Sequence, residues 1–505
     1  MYIGDYLSRR ALYTPDAPAF VDYGKDPVLR LTFARANARA NALAAALRSA
    51  FGVQKGDRVA ILARDGIEHL DVFFACGKLG AVHTTFNWRL HWREILGLIR
   101  QTTPRVLLHS AEFAETVAAI TAEYPLPAIP LEGPAYAEML RTPPAEPVTC
   151  ENLEVEDIAA LIFTGGTTGL PKGAQVSHRM IAWNTLNTVI HDLHHEDVYL
   201  NVFPLFHTGG LFVYTLPQVI LGGTIILVRQ FEPAQVLDIL EREAVTVFAG
   251  VPTMYQMLTQ APNWAQADLS RLRFCTSGGA PLPVPLVEQY TREKGIRFKQ
   301  GFGMTEFGPG IFALAPEDAI RKAGSIGRPN FYIEARIVDE DGRCLGPNQV
   351  GELVLKGPSY CSGYFGNPQA SAEAVDERGF FHTGDLARYD EERYFYIVDR
   401  KKDMFISGGE NVYPAEIEKA LYEHPAVHMC AVVGVPDPKW GEVGVACVVC
   451  KPGVQVSETD LLTHLQARLA KYKVPRRVLF MDALPISGAG KILKRELRRQ
   501  IVTGG

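Results

Sequence analysis

The chain has 505 residues, more than one hydrophobic core is built to serve, so two or more domains are expected. Its apolar fraction of 47% and charged fraction of 21% are those of an ordinary soluble globular protein. A net charge of −5, from 51 basic and 56 acidic residues, excludes a bulk attraction to nucleic acid.

The opening stretch MYIGDYLSRRALY lacks the long apolar core of a signal peptide. The segment LTFARANARANALAAALRSAF reads as an amphipathic helix, GDRVAIL as a buried strand, and IEHLDVFFACGKLGAV as a second helix and its exit. IAALIF then reads as a strand leading into FTGGTTGLPKGA, residues 163–174. The uncharged run 211–228 approaches membrane-spanning length, but Pro217, Gln218 and Gly222–Gly223 interrupt it. It reads as a buried helix, a turn and the core strand TIILV. The same helix–strand rhythm recurs in QVLDILEREAVTVFAGVP and VPLVEQYTREKGIRFKQGFG. That is the signature of α/β layers with largely parallel strands, whose ligands sit at the strands' carboxyl ends.

Composition shifts near residue 400, where the charged run DRKKD (399–403) follows the strand-like RYFYIV. A unit of about one hundred residues follows, a common domain size. Pro414 opens a helix, His424–Pro425 ends it, MCAVVGVP and VGVACVVCKP read as strands, and SETD at Ser457 caps a second helix. The expected division is a large α/β domain over 1–400 and a smaller, hinged α+β domain over 401–505. The eight cysteines show neither disulfide nor zinc spacing. Cys447 and Cys450 lie on a strand whose alternation sends them to opposite faces, so a reducing, cytoplasmic compartment is expected. The basic stretches KYKVPRR and KILKRELRR read as a solvated helix face, with a phosphate-bearing partner as the alternative.

FTGGTTGLPKGA suits a nucleotide's phosphates: glycines let backbone N–H groups approach an anion, threonines add donors, and Lys172 adds a point charge. It is not the usual P-loop, because Pro171 precedes Lys172 and Gly173 follows it. Alone, the stretch also reads as a flexible turn. Downstream come PLFHTGG (204–210), SGGAPLP (277–283), QGFGMTE (300–306), HTGD (382–385), DRKKDMFISGGENVYPAEIE (399–418) and ISGAGKILKREL (486–497). In this order the motifs resemble the adenylate-forming superfamily: acyl-CoA and aryl-CoA ligases, adenylation domains of peptide synthetases, and firefly luciferase. The resemblance runs from the KLGAV…NWRL segment to the terminal lysine motif. Within the superfamily the chain is similar to fatty-acid–CoA ligases and 4-chlorobenzoate–CoA ligase.

The resemblance implies ATP, Mg²⁺ and coenzyme A as reagents and a two-step reaction. A carboxylate attacks the α-phosphate of ATP to give an acyl adenylate and pyrophosphate, and a thiol then displaces AMP. It assigns Thr164, Gly165, Gly166, Thr167, Thr168, Gly169 and Lys172 to the departing phosphates, with Gly165 standing where many members have Ser. Gly278, Gly279, Ala280, Gln300, Gly301, Phe302, Gly303 and Met304 become walls of the adenine pocket, with Phe302 in place of the usual Tyr. Thr305 would touch the α-phosphate and Glu306 would hold Mg²⁺. Asp385 would bind the ribose hydroxyls, with Arg400 reaching the ribose or phosphate edge. Lys491 would serve adenylation alone, with Ala489 replacing a usual Ser/Thr. Lys402 aligns with the pivot of the small domain. Gly408 and Gly409 would line the pantetheine tunnel, with Trp440 packed on it, and Lys473, Arg476 and Arg477 are candidates for coenzyme A phosphates.

His207 resembles the aromatic gate beside the substrate carboxylate. Around it stand the small residues Thr208, Gly209, Gly210, Ala249 and Gly250, and no Asp is placed to pair with an amino group. This favours a medium- to long-chain fatty acid. An aryl acid is the alternative, since Trp183, Phe212 and Phe248 could sandwich a ring. Loading of a carrier protein and a non-catalytic nucleotide- or acyl-binding role are further alternatives. Against the last, Lys172, Glu306, Asp385, Arg400 and Lys491 are all present. The partner expected is a small carboxylic acid, with no nucleic acid. A homodimer and a peripheral membrane contact are left open.

Overall fold

The structure is a computed structural model that describes residues 3–164, 171–280, 282–408, 410–486 and 492–503. Its contacts divide the chain into two compact units, Met1–Glu334 with Lys356–Gly379, and Ala335–Leu355 with Phe380–Gly505.

The first unit is built on two sheets. In the nine-stranded sheet, Phe298–Met304, Phe274–Gly278, Val247–Gly250, Val198–Asn201, Thr224–Leu227 and Pro18–Asp22 are successive parallel neighbours. Antiparallel strands finish both edges. The six-stranded sheet runs parallel from Ala128–Pro130 to Ile158–Thr164 and closes on the antiparallel strand Lys172–Ser177. The interior strands are buried runs such as residues 59–62 and Val106–His109, as parallel sheets covered on both faces require.

Helix Phe33–Phe51 begins where the Thr32 hydroxyl accepts from Arg35 N–H and ends at Gly52 with φ 63°. Its alanines let it lie close to helix Ile67–Leu79. That second helix carries the fully buried Lys78, whose ammonium donates to Asp5, the Ser8 hydroxyl and Asn37 at 2.6–2.8 Å. The uncharged run 211–228 folds as the end of helix Thr208–Phe212, helix Thr215–Leu221, a left-handed Gly222 and strand Thr224–Leu227. No helix among the described residues is long and apolar enough to cross a membrane.

One element departs from the sequence reading. Thr164 and Lys172–Ala174, expected in a loop, are paired strand residues, with Thr164 opposite Lys172. Cross-strand pairing overrides the local Gly/Pro signal there.

The second unit holds a four-stranded sheet ordered Glu334–Val338, Gly351–Lys356, Phe381–Tyr389, Phe395–Arg400. The composition shift at residue 400 falls at the end of its last strand. A further sheet pairs Val427–Asp437 with Gly441–Cys450, and helices Pro414–Tyr422 and Glu458–Gln466 cover it. Ser457 and Asp460 form the expected capping box. Cys447 and Cys450 are free thiols, and burial pushes Cys447 up to about 11.

His69 and His178, in the first unit, are buried, and that burial holds both imidazoles down at about 4 against an ordinary 6.5. The neutral forms stabilise the fold fully above pH 6.5, and this stability is lost as pH falls toward 4. At roughly 1.4 kcal/mol per pKa unit the loss reaches about 3 kcal/mol per imidazole. The melting temperature, followed stepwise through that window, is expected to fall; a flat profile would contradict it.

Candidate functional site

In the first unit, three parallel strands end level with one another. Gly250 pairs with Ser277, Ser277 with Gln300, and Gly278 with Gly301, which brings SGGAPLP and QGFGMTE to one edge. Added to Gly278, a Cβ would stand 3.3 Å from the Gly301 carbonyl, and Gly279 turns with φ +80°. Ala280 is exposed. Gln300 is buried and its side-chain oxygen accepts from Leu282 N–H at 3.3 Å, so it braces the SGGAPLP turn. Phe302 is half-buried, edge-on to Phe312 at 5.8 Å. A Cβ on Gly303 would meet the Pro309 backbone at 2.4 Å, so only glycine fits there. Met304 is half-buried.

Thr305 and Glu306 occupy the turn of the hairpin formed by Phe298–Met304 and Gly308–Leu314, with Met304 opposite Gly308. Both are buried. The Glu306 carbonyl accepts from Cys361 N–H at 2.7 Å, and its carboxylate accepts from the Tyr364 hydroxyl at 2.9 Å. Among the described residues no cation pairs with this carboxylate, and no three His, Cys, Asp or Glu side chains converge. A buried carboxylate met only by a neutral phenol fits a hard divalent ion whose remaining ligands come from phosphates and water.

Tyr364 is the residue sequence reasoning missed. Its segment runs along strand Lys172–Ser177: Phe365 N–H donates to the Gly173 carbonyl, and Gln175 exchanges bonds with Gly363 and Ser362. The buried ring places its hydroxyl on Glu306 and its face 5.0 Å from the Lys172 ammonium. One tyrosine thus links the lysine of the glycine-rich hairpin to the carboxylate of the TE turn. Burial, with Glu306 adding to it, pushes the phenol well above its ordinary range. The signal available was a lone Tyr between two glycines in SGYFGN, which marks no chemistry by itself.

Directly opposite Lys172, the Thr164 hydroxyl donates to the Lys172 carbonyl at 3.3 Å. Gly165, Gly166, Thr167, Thr168 and Gly169 lie outside the described residues, as do Gly409 and Lys491.

His207 is half-buried at the start of helix Thr208–Phe212, 6.2 Å from the Phe206 ring. The residues just before it are tied down: Leu205 N–H donates to Asp65 at 2.6 Å and the Thr85 hydroxyl to the Phe206 carbonyl at 3.1 Å. The neighbouring small residues are packed. A Cβ on Gly210 would come within 2.3 Å of the Pro204 carbonyl, Gly209 faces the Phe203 ring at 3.6 Å, and Gly250 faces Tyr255 at 3.5 Å. Asn184 joins three of the surrounding elements. It donates to the Phe212 carbonyl at 2.8 Å and accepts from Gly310 N–H at 3.0 Å, while Gly308, at φ +74°, leaves its side chain room.

In the second unit, Asp385 and Arg400 are direct cross-strand partners, with Arg400 Nε 2.5 Å from Asp385 Oδ1. Asp385 is buried and its N–H donates to the Thr383 hydroxyl, whereas Arg400 is exposed. Lys402 is exposed, and partial desolvation of its ammonium lowers its pKa. Gly408, at φ +60°, donates its N–H to the Trp440 carbonyl at 2.9 Å, and a Cβ there would press to 2.9 Å on the Trp440 ring. Trp440 is exposed. Gly408 and Trp440 are therefore brought together. Lys473, by contrast, is paired with both oxygens of Glu416 at 2.8 Å.

The AMP-binding enzyme family matches residues 7–365 and the AMP-binding enzyme C-terminal domain matches residues 416–491. A feruloyl-CoA synthase of Amycolatopsis sp. is 44% identical, with 99% of each chain covered. A long-chain-fatty-acid–CoA ligase of Mycobacterium tuberculosis is 36% identical, covering 99% of this chain and 98% of its own. The structure of ATP-bound MatB from Rhodopseudomonas palustris superposes with a TM-score of 0.91 at 31% identity over 99% of both chains. The chain belongs to the AMP-binding enzyme family, among its acyl- and aryl-CoA ligases.

Proposed function

We propose that the chain is an aryl-acid–CoA ligase that activates its acid as an acyl adenylate. The choice of acid rests on the feruloyl-CoA synthase, which is 44% identical over the same length at which the long-chain-fatty-acid ligase is 36%. Packing supports it. Gly210, one of the small residues that favoured an alkyl chain on sequence, is taken up by the Pro204 and Phe203 carbonyls and opens no channel there. A medium- to long-chain fatty acid is the second reading, favoured by the mycobacterial relative alone.

In the first step the carboxylate oxygen attacks the α-phosphorus of ATP and the bond to the β-phosphate oxygen breaks, releasing pyrophosphate. Two anions must meet, so the chemistry needs charge neutralisation and positioning. Lys172 and residues 164–169 would hold the leaving phosphates. Thr305 would donate to the α-phosphate. Glu306, with its second oxygen clear of Tyr364, would hold Mg²⁺, which supplies charge neutralisation when bound. The SGGAPLP and QGFGM edge would flank adenine, and His207 would stand by the substrate carboxylate. Asp385, relieved in part of Arg400, would accept from the ribose hydroxyls, and Lys491 would reach the reacting oxygens. In the second step the coenzyme A thiolate attacks the acyl carbon and AMP leaves. Gly408, Gly409 and Trp440 would line the pantetheine path, with the smaller domain, 401–505, turning about Lys402 between steps.

Incubation with Mg-ATP, coenzyme A and acetate, octanoate, palmitate, benzoate or cinnamates is expected to give aryl-CoA products by mass spectrometry. Acyl-CoA from octanoate or palmitate alone would overturn the choice of acid. AMP without any CoA ester would point to a carrier protein as acceptor.

A further inference from the structure

Thr276 lies inside the nine-stranded sheet, with parallel neighbours on both sides through Ala249 and Lys299. Both sheet faces carry core clusters, and yet Thr276 is only half-buried. A residue so placed can be reached only through an opening on its own face. That face is the one on which Phe274 packs, since Cys275 points into the opposite cluster. On it the Thr276 hydroxyl meets the Tyr214 hydroxyl at 2.7 Å. Tyr214 is buried edge-on to Tyr199 at 5.4 Å and belongs to the same segment as His207.

Two hydroxyls bring two protons, and the bond between them uses one. Among the described residues the other has no acceptor. The nearest cation on this row, Lys299, is bonded to the His191 carbonyl. So the pair offers one unspent O–H donor and spare lone pairs beside an opening, in surroundings that are otherwise aromatic and apolar. Leaving such a donor unmet when an acid fills the site costs affinity, and meeting it adds selectivity.

We propose that Tyr214 and Thr276 form the polar end of the acid site and select aryl acids that carry a ring hydroxyl. The substrate hydroxyl accepts from the unspent proton and donates to the remaining lone pair, while its carboxylate is presented at the His207 end. This rests on the aryl-acid reading above.

The test compares kcat/KM for 4-hydroxycinnamate, cinnamate and octanoate in the wild type, Tyr214→Phe and Thr276→Val. The wild type is expected to prefer 4-hydroxycinnamate to cinnamate, and each variant to lower that ratio about tenfold, the scale of one buried hydrogen bond. Tyr214→Phe keeps the ring against Tyr199. Thr276→Val keeps the shape of the strand side chain and stands alone if the first variant misfolds. A ratio unchanged in the folded variants would overturn this inference and leave the aryl reading intact. A wild type that activates octanoate and ignores both cinnamates would overturn the aryl reading, and this inference with it.

Discussion

Glu306→Gln is expected to lower acid-dependent ATP–pyrophosphate exchange about a hundred- to a thousandfold, the scale of losing one preorganised electrostatic contact. The substitution keeps an oxygen that can accept from Tyr364 and keeps the volume buried in the hairpin turn. What it removes is the negative charge, in a place where among the described residues no cation balances it. Removing a buried, unbalanced charge does not cost stability, so the melting temperature is expected to stay or rise. The half-saturating Mg²⁺ concentration should rise alongside the lost rate. Tyr364→Phe should move it the same way by less, because the ring over Lys172 remains and only the hydroxyl is lost. Unchanged Mg²⁺ dependence in Glu306→Gln would remove the ion from this carboxylate.

Lys491→Ala is expected to separate the two half-reactions. Adenylation should fall about a hundredfold or more, as when a charged group aimed at the transition state is deleted. Thioester formation from a supplied acyl adenylate should hardly change, since the proposed role of that lysine ends when pyrophosphate leaves. Rapid-quench measurement of each step separates the outcomes. An equal fall in both would place Lys491 in a shared or structural role.

Much of the fold was legible because it follows from local pattern. Buried apolar runs such as RVAIL alternate with capped helices, and both the parallel sheets and the capping box at Ser457 appear as expected. The hairpin at Lys172 was read as loop because glycine and proline dominate the local signal, whereas the strand there is made by pairing with Ile158–Thr164. Tyr364 was not legible at all: its partners Lys172 and Glu306 are remote in sequence, and only the course of the chain beside strand Lys172–Ser177 joins them. The small residues near His207 do not by themselves define the acid site, for a related reason. A glycine in a sequence does not say whether the space beside it is empty or filled, and at Gly210 it is filled by the Pro204 carbonyl.

The hairpin that carries Glu306 in its turn continues into Gly308 and Gly310, which lie directly on Asn184. With the acid site placed beside His207 as proposed, substrate choice and nucleotide chemistry are therefore not separable modules in this enzyme. A larger side chain at Gly308 or Gly310, or a shorter one at Asn184, introduced to reshape the acid site, would displace the turn that positions the carboxylate. Gains in substrate range sought there should come with slower adenylation even of the original acid, and paired changes should combine non-additively. Laboratory evolution of new acid specificity would then be expected to accumulate its first successful changes away from this hairpin.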